Sequence, residues 1–323
     1  MGAMTLTRMP VQTAAAVTFF YALGYPIGNL AVGAMTPMAL LVFRFSLAAL
    51  LLGTWASVGR VAWPRGRKLG HVAVTGLLMQ AVQFCCLYLA VQRGAPAVLC
   101  AVVIAMNPVA TAVLGALFLR DRLGPLRIFA LVLGVLAVLA ACASRLVHEH
   151  GVDPVFVLLL VALVGLAAGG VYQQRFCADV DFRTSVAIQN AVALVPAAIL
   201  AGLTPFAVHD HVKAALAVAA VVLLNAGIGV SLYVRAINRH GAAAVAMLFC
   251  LIPAVAGVLS WLLLGEHPDI GIAVGLVLGA AACWLNARAS GKSDSGKKRE
   301  NDPGGDRRGQ DRVEAVHDPA VAG

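Results

Sequence analysis

The sequence predicts an all-α integral membrane protein with ten transmembrane helices, arranged as two inverted five-helix repeats. Of its 323 residues, 61% are hydrophobic and only 12% are charged, and the mean hydropathy is +0.88. A soluble domain of this length needs more polar surface than this composition supplies. The apolar residues also fall into long blocks, and two stretches far apart in the chain read almost alike.

Ten apolar blocks have about the length that crosses the hydrocarbon core of a bilayer, which takes about 20 residues of helix. Because the blocks are continuous rather than alternating, they favour helices over the strands of a membrane barrel. No small-residue cleavage site follows the first block, so we interpret it as a retained first helix. The predicted spans are 11–33, 37–57, 70–91, 97–118, 127–143, 154–175, 184–203, 213–235, 242–264 and 271–288.

The net charge of +9 is distributed in a way that predicts orientation. Residues 289–323 hold seven basic and seven acidic side chains, so this segment is neutral overall and is predicted to be a disordered cytoplasmic tail. If the N-terminus is cytoplasmic, the outer loops carry only Arg93, Arg145 and Lys213, whereas every inner loop is basic. This bias predicts a multi-pass protein of the plasma (inner) membrane with both termini in the cytoplasm, and no nucleic-acid partner.

A duplication underlies the two similar stretches. VLGALFLRDRLGPLRIFALVLG (113–134) is repeated as VLSWLLLGEHPDIGIAVGLVLG (258–279), which lies 145 residues later. The same offset pairs Gly24 with Gly169, Arg44 with Gln189, Gln80 with Asn225, Tyr88 with Tyr233 and Pro108 with Pro253. A unit of five spans starts on one side of the membrane and ends on the other, so its second copy is inserted upside down. The predicted organisation is a first repeat over 11–143, a second over 154–288, and the tail over 289–323.

Several polar residues fall inside the predicted spans and are candidates for binding a substrate. Arg44 could attract a carboxylate through charge-assisted hydrogen bonds, although it could also tie helix carbonyls together or reach to the surface. Amides both donate and accept hydrogen bonds, which suits a zwitterionic or polyhydroxyl ligand, but they also join membrane helices to one another. The amide candidates are Gln80, Gln83, Asn107 and Asn225.

Aromatic, proline and further amide residues complete the candidate machinery. Tyr25 and Trp261 are the aromatic side chains best placed in the sequence to close a cavity over a ligand. Pro108 and Pro253 remove backbone donors within the predicted fourth and ninth spans, which predicts a bend or hinge at each, or only a tolerated kink. Near the predicted inner face, a cytoplasmic gate is expected at Gln173, Gln189 and Asn190.

The sequence contains no pattern typical of catalysis, of a cofactor or of a nucleotide-binding loop. No Asp or Glu falls in the middle of a predicted span, which favours facilitated transport, or coupling through backbone carbonyls or the substrate's own charge, over coupling to an ion held by an acid. Two histidine pairs, at 148–150 and 209–211, lie in predicted outer loops and are interpreted as solvated side chains rather than as a metal site. We therefore expect neither an enzyme, nor a cofactor, nor a metal.

Particular motifs make the chain similar to a known family. They are YALGYPIG (21–28) in the first span, the Arg44–Phe45 pair in the second, prolines at the centre of the fourth and ninth spans, and LGE at 264–266. With ten spans in two halves, these features resemble an EamA-type member of the drug/metabolite transporter superfamily. The first elbow departs from the family pattern, with Arg120–Asp121 where Gly–Glu is usual.

The resemblance implies a secondary carrier, an exporter or facilitator, that moves small polar metabolites such as amino acids by alternating access. Its expected partners are the lipid bilayer and that small polar substrate, and a homodimer is compatible with the sequence. The alternative from a different class is a non-transporting membrane scaffold, or the membrane subunit of a larger complex.

Overall fold

The computed structural model describes residues 9–95, 103–119 and 154–265, with isolated residues at 100, 125, 128, 129 and 132. The predicted fifth and tenth spans, the elbow at Arg120–Asp121, the histidine pair at 148–150 and the tail lie outside the described residues.

Six described helices are long and apolar enough to cross a membrane. They are α1 (Val11–Ala34), α2 (Pro37–Val58), α3 (Arg67–Gln92), α5 (Pro154–Phe176), α6 (Phe182–Leu203) and α7 (His211–His240). They coincide with the predicted first, second, third, sixth, seventh and eighth spans. Large apolar side chains on their outer faces are left exposed, for example Leu50, Leu203 and Leu216, each more than 60% exposed. Such faces are expected where helices border lipid rather than water.

The predicted fourth and ninth spans are broken rather than continuous. In the first half, a turn at Met106 precedes α4 (Asn107–Leu119). In the second half, α8 (Ala242–Ala246) runs into a 3₁₀ turn (Met247–Cys250), and α9 (Ile252–Leu264) follows. Each new helix has a proline in its first turn, Pro108 or Pro253, where a missing N–H leaves no hydrogen bond unmade. The predicted mid-span kinks are therefore helix starts.

Two of the long helices contain a wider, π-helical segment. It covers Leu77–Val82 in α3 and Val221–Val230 in α7, and each segment includes a buried amide, Gln80 or Asn225. Such segments shift the side chains that follow relative to a regular α-helix, and they occur frequently at functional sites.

The 145-residue offset relates the helix boundaries of the two halves. Adding it to the first and last residues of α2 gives those of α6, and the same holds for α4 and α9. The π segment of α3 falls in the same way within that of α7. The repetition in the sequence is therefore also a repetition of local structure.

The loops that meet at each end of the bundle show the directions of α2 and α6. At one end, here called the upper face, residues 34–37 meet residues 204–210: the Thr36 amide donates to the Ala207 carbonyl at 3.0 Å, and the His209 amide to the Ala34 carbonyl at 2.8 Å. At the opposite end, the lower face, residues 59–68 meet residues 177–183, and Lys68 forms an ion pair with Asp179. Consequently α2 runs from the upper to the lower face, whereas α6 runs from the lower to the upper face.

The packing between the halves is reciprocal. Helix α1 packs against α7 and α9, while its counterpart α5 packs against α3 and α4, and α2 packs against its own counterpart α6. Glycines allow the close crossings: a Cβ on Gly24 would lie 2.2 Å from the Asn225 side chain, and one on Gly169 would lie 2.8 Å from Met79 Cβ. This pattern is the one that a two-fold relation between the halves produces.

Candidate functional site

A cavity of about 150 Å³ lies between α1, α2, α3 and α7. Its polar wall is formed by side chains from all four helices: Tyr21, Tyr25, Asn29, Arg44, Gln83, Tyr88 and Asn225. Its other walls are mainly apolar, with Val32, Phe84, Leu87, Val91, Ala95, Cys100 and Val221. Because Val32 lies near the upper end of α1 and Ala95 lies three residues beyond the upper end of α3, the cavity extends from within the bundle toward that face.

Arg44 is the charged group of this cavity. It lies in the third turn of α2, roughly 10 Å along the helix from its upper end, and it is only 1% exposed. Its Nη2 donates to Asn225 Oδ1 at 3.1 Å, and its guanidinium carbon lies 3.6 Å from the centre of the Phe84 ring. Its Nε has no hydrogen-bond partner. The guanidinium is thus held in a fixed place with part of its donor capacity unused.

Asn225 is positioned by the close approach of α1 to the π segment of α7. Gly24 leaves the space that the Asn225 side chain fills, and the Asn225 amide nitrogen lies 3.4 Å from the backbone oxygens of both Phe20 and Tyr21. The same side chain therefore joins α1, α7 and, through Arg44, α2.

Gln83 and Tyr21 form the second polar contact of the cavity. Gln83 Nε2 donates to the Tyr21 hydroxyl at 3.1 Å, and Gln83 Oε1 has no partner. The Tyr21 ring packs edge-on against Phe249 and Tyr233, with ring centres 4.9 and 5.6 Å away. This buried aromatic cluster lies between the cavity and the part of the bundle that is nearer the lower face.

A group of buried amides lies toward the lower face, and we call Gln173, Gln189 and Asn238 the lower amide cluster. Gln189 Nε2 donates to Gln173 Oε1 at 3.1 Å, and Gln173 Nε2 donates to Asn238 Oδ1 at 2.9 Å. Gln189 also donates to Ser185 Oγ at 3.0 Å, and Gln173 to the Cys177 carbonyl at 3.3 Å. These bonds join α5, α6 and α7 at a level of the bundle to which no residue of the cavity wall belongs.

The acidic residues of the described ranges each form an ion pair near a helix end, outside the cavity. Hydrogen bonds from Arg183 hold the pKa of the Asp181 carboxyl below its usual range. The pKa of the Asp210 carboxyl is also lowered, chiefly by the backbone N–H of Lys213. Both carboxylates cap the helices that follow them. Near the lower face, burial raises the pKa of the Cys177 thiol.

The structure brings together four of the predicted binding residues, Tyr25, Arg44, Gln83 and Asn225, in one cavity. It places Gln80, Asn107 and Trp261 away from it. Gln80 is buried within the π segment, whose geometry separates it from Gln83 although they are three residues apart. Asn107 is buried at the start of α4 and accepts a hydrogen bond from Thr111 at 3.2 Å, whereas Trp261 is 50% exposed on the outside of α9.

Of the predicted gate residues, Gln173 and Gln189 meet in the lower amide cluster, and Asn190 is buried beside them with its amide nitrogen on the Val186 carbonyl. Sequence reasoning did not assign Tyr21, Asn29 or Phe84 to the binding site, and it ranked Tyr88, a possible cavity aromatic, below Tyr25 and Trp261. A helix-face argument could have found Tyr21 and Asn29, because both lie four residues from Tyr25. Within the described residues, no cluster of three or more His, Cys, Asp or Glu side chains could hold a metal ion.

Comparison with known proteins identifies the family. A profile of the EamA-like transporter family matches the chain twice, over residues 8–142 and over residues 154–288. The chain belongs to the EamA-like transporter family. It is therefore a multi-pass membrane transporter of the drug/metabolite transporter superfamily, as the sequence motifs predicted.

The fold of this family member is also found among solved structures. One solved crystal structure is similar to this chain with a TM-score of 0.65 and a sequence identity of 16%. The match covers 85% of this chain and 96% of the solved chain. At this identity the likeness concerns the fold alone. No curated protein matches the chain.

Proposed function

We propose that the chain is a secondary transporter, an exporter or facilitator, of small polar metabolites such as amino acids. It would work by alternating access between the two halves, 11–143 and 154–288. The observation that supports this proposal is the cavity itself: its polar end lies within the bundle, it extends toward the upper face, and the lower amide cluster joins three helices on the opposite side. A binding site that is accessible from one side only is what one state of such a carrier requires.

The proposal further holds that the halves are inverted copies within a ten-helix bundle. The opposite directions of α2 and α6, the reciprocal packing of α1 and α5, and the equal spacing of helix boundaries support it. In an inverted pair, the helix packing of the lower face can also be adopted at the upper face, with other side chains, since the 145-residue offset puts Gly28, Arg44 and Arg93 in the places of Gln173, Gln189 and Asn238. Exchange between the two arrangements would then expose the site to either side in turn.

The orientation proposed is one with the lower face in the cytoplasm of a cell whose plasma (inner) membrane holds the protein. The loop between α2 and α3 at this face contains Arg60 and Arg65, and Arg67 and Lys68 follow at the start of α3. The loop at the upper face between α1 and α2 contains no charge. Positive charge concentrated at one face favours that face as cytoplasmic.

Flux measured with the purified protein alone tests the function. The full chain would be placed in liposomes and challenged with labelled amino acids, organic acids, amides and sugars, with protein-free liposomes as the control. We expect saturable, protein-dependent flux of at least one small polar compound. If a correctly inserted protein is silent across the panel, the alternative of a scaffold or a subunit of a larger complex replaces this proposal.

A further inference from the structure

We propose that the cavity selects small organic acids with one carboxylate and no ammonium group over zwitterionic amino acids of the same size. This inference rests on the proposed carrier function and narrows its substrate class from polar metabolites in general to compounds with a net charge of −1.

The first argument is the charge of the cavity. Arg44 is the charged side chain of its wall, and no acid of the described residues lies beside it. The three carboxylates of the described ranges are engaged elsewhere, Asp179 with Lys68, Asp181 with Arg183 and Asp210 with Lys213. An uncompensated cation at this depth in a membrane is unfavourable, and a bound anion compensates it.

The second argument is the hydrogen-bonding geometry of Arg44. One Nη group is held by Asn225 and one face of the guanidinium lies on Phe84, whereas the buried Nε has no partner. Arginine binds carboxylates through two parallel N–H bonds more readily than it binds neutral oxygens. The side chain is therefore fixed in position by neutral neighbours, while its buried Nε keeps a donor that no described residue accepts and that a carboxylate entering beside it could accept.

The third argument is that the described residues of the wall include no acid that could neutralise an ammonium group. Its remaining polar atoms are neutral, chiefly the hydroxyls of Tyr21, Tyr25 and Tyr88 and the unpartnered Gln83 Oε1. A zwitterion would compensate Arg44 but would bring a second charge that, among the described residues of the wall, only neutral oxygens and aromatic ring faces could meet, with no carboxylate to pair with it. Burying the ammonium group costs free energy when an amino acid binds, and a carboxylic acid without an ammonium group does not have this cost.

The rest of the substrate is expected to be compact and apolar. Toward the upper face, the wall is formed by Val32, Leu87, Val91 and Ala95. A cavity of about 150 Å³ is comparable to one that holds benzene, which corresponds to a ligand of roughly six to ten non-hydrogen atoms. A short branched or cyclic monocarboxylate meets these conditions.

Three probes that share one carbon skeleton separate the charge from the shape. They are 2-hydroxy-4-methylpentanoate with net charge −1, leucine with net charge 0 and leucinamide with net charge +1. Labelled 2-hydroxy-4-methylpentanoate would be exchanged across liposomes that contain the full chain at equal pH on both sides, with the other two as competitors. Protection of the protein against thermal unfolding by each probe gives a second readout that needs no transport. We expect the acid to bind about tenfold or more tightly than leucine, and leucinamide not to compete.

Two variants place the charge effect at Arg44. Asn225→Asp puts a carboxylate where Oδ1 already accepts the Arg44 bond, so the cavity becomes neutral and the Arg44 contact is kept, while the long contacts of the amide nitrogen with the Phe20 and Tyr21 carbonyls are lost. Arg44→Gln removes the cation itself. Both are expected to lose the preference for the acid over leucine by about tenfold or more. Lys213→Gln is the matched control, since it removes one positive charge at the upper face, outside the cavity, and should keep the wild-type order.

The outcomes distinguish this inference from the function on which it rests. An order of acid, leucine, leucinamide that is lost in both variants supports it. Leucine handled as well as the acid, or a preference that persists in Asn225→Asp, overturns it. If the acid neither exchanges nor protects the protein, the inference is also wrong, while flux of another compound in the wider panel would leave the carrier function standing.

Discussion

The crossing of α3 with α6 depends on a glycine, and replacing Gly76 with alanine is therefore expected to destabilise the bundle. A Cβ built on Gly76 lies 2.7 Å from Gln189 Cα and 3.0 Å from the Gln189 carbonyl oxygen. Carbon atoms in contact prefer about 3.5–4.0 Å, so the two helices would have to separate by roughly 1 Å. Both of the contacted atoms belong to the backbone of α6, and no rotamer change can relieve the clash.

The magnitude follows from the cost of overpacking, which is typically about 1–3 kcal/mol. Gly202→Ala is the matched control, because it makes the same replacement within α6 at an exposed position where a Cβ meets nothing within 4 Å. The higher helix propensity of alanine favours both variants by up to about 1 kcal/mol, so it cancels in the comparison. Gly76→Ala should therefore be less stable than Gly202→Ala by about 1–3 kcal/mol.

The assay is SDS-induced unfolding of the purified variants in one detergent, followed by the loss of helical circular dichroism. We expect the midpoint of Gly76→Ala to shift to a lower SDS fraction than that of Gly202→Ala, with a transition of the same steepness. Equal midpoints would show that α3 and α6 do not meet at Gly76, and the reciprocal packing of the halves would lose one of its crossings.

Two further predictions concern the cavity and the lower face. Tyr21→Phe removes the hydroxyl that accepts the Gln83 hydrogen bond. The apparent affinity for a transported substrate, measured in liposomes, should therefore fall about 2- to 10-fold. Tyr172→Phe, which removes a hydroxyl bonded to His71 outside the cavity, should leave the affinity unchanged, and equal losses in both variants would refute a role for Tyr21. Gln173→Ala should raise the rate at which a maleimide alkylates Cys177, because the wild-type thiol is buried and its raised pKa disfavours the reactive thiolate. The other cysteines would be replaced for this measurement, and an unchanged rate would show that Gln173 does not hold the lower face closed.

The sequence predicted the fold from features that tertiary packing does not alter. The lengths of the apolar blocks predicted the bounds of six long helices to within a few residues. The 145-residue offset predicted which helix of the second half corresponds to each long helix of the first. The broken fourth and ninth spans were treated as continuous because their apolar composition continues through the turns at Met106 and Leu251. The composition of a segment indicates whether it can lie in lipid, but it does not indicate where the pattern of backbone hydrogen bonds changes.

The candidate site was predicted in part for a similar reason. Arg44, Gln83 and Asn225 were found because polar side chains are conspicuous inside apolar spans. Gln80 was a candidate for the same reason, but regular helical spacing would put it on one face with Gln83, and the π segment changes that spacing. Trp261 was predicted to close the cavity by its residue type, but the side that a helix presents to lipid depends on its neighbours.

The central claim is that one site is exposed at one face while the other face is closed, and that the two conditions are coupled. A single experiment tests it: alkylation rates of Cys177 at the lower face and of a cysteine introduced at Val32 in the upper part of the cavity, both in lipid nanodiscs. The rates would be compared between the otherwise cysteine-free protein and the same protein carrying Gln173→Ala. We predict that the rate at Cys177 rises while the rate at position 32 falls. A rise at Cys177 with no fall at position 32 would contradict alternating access.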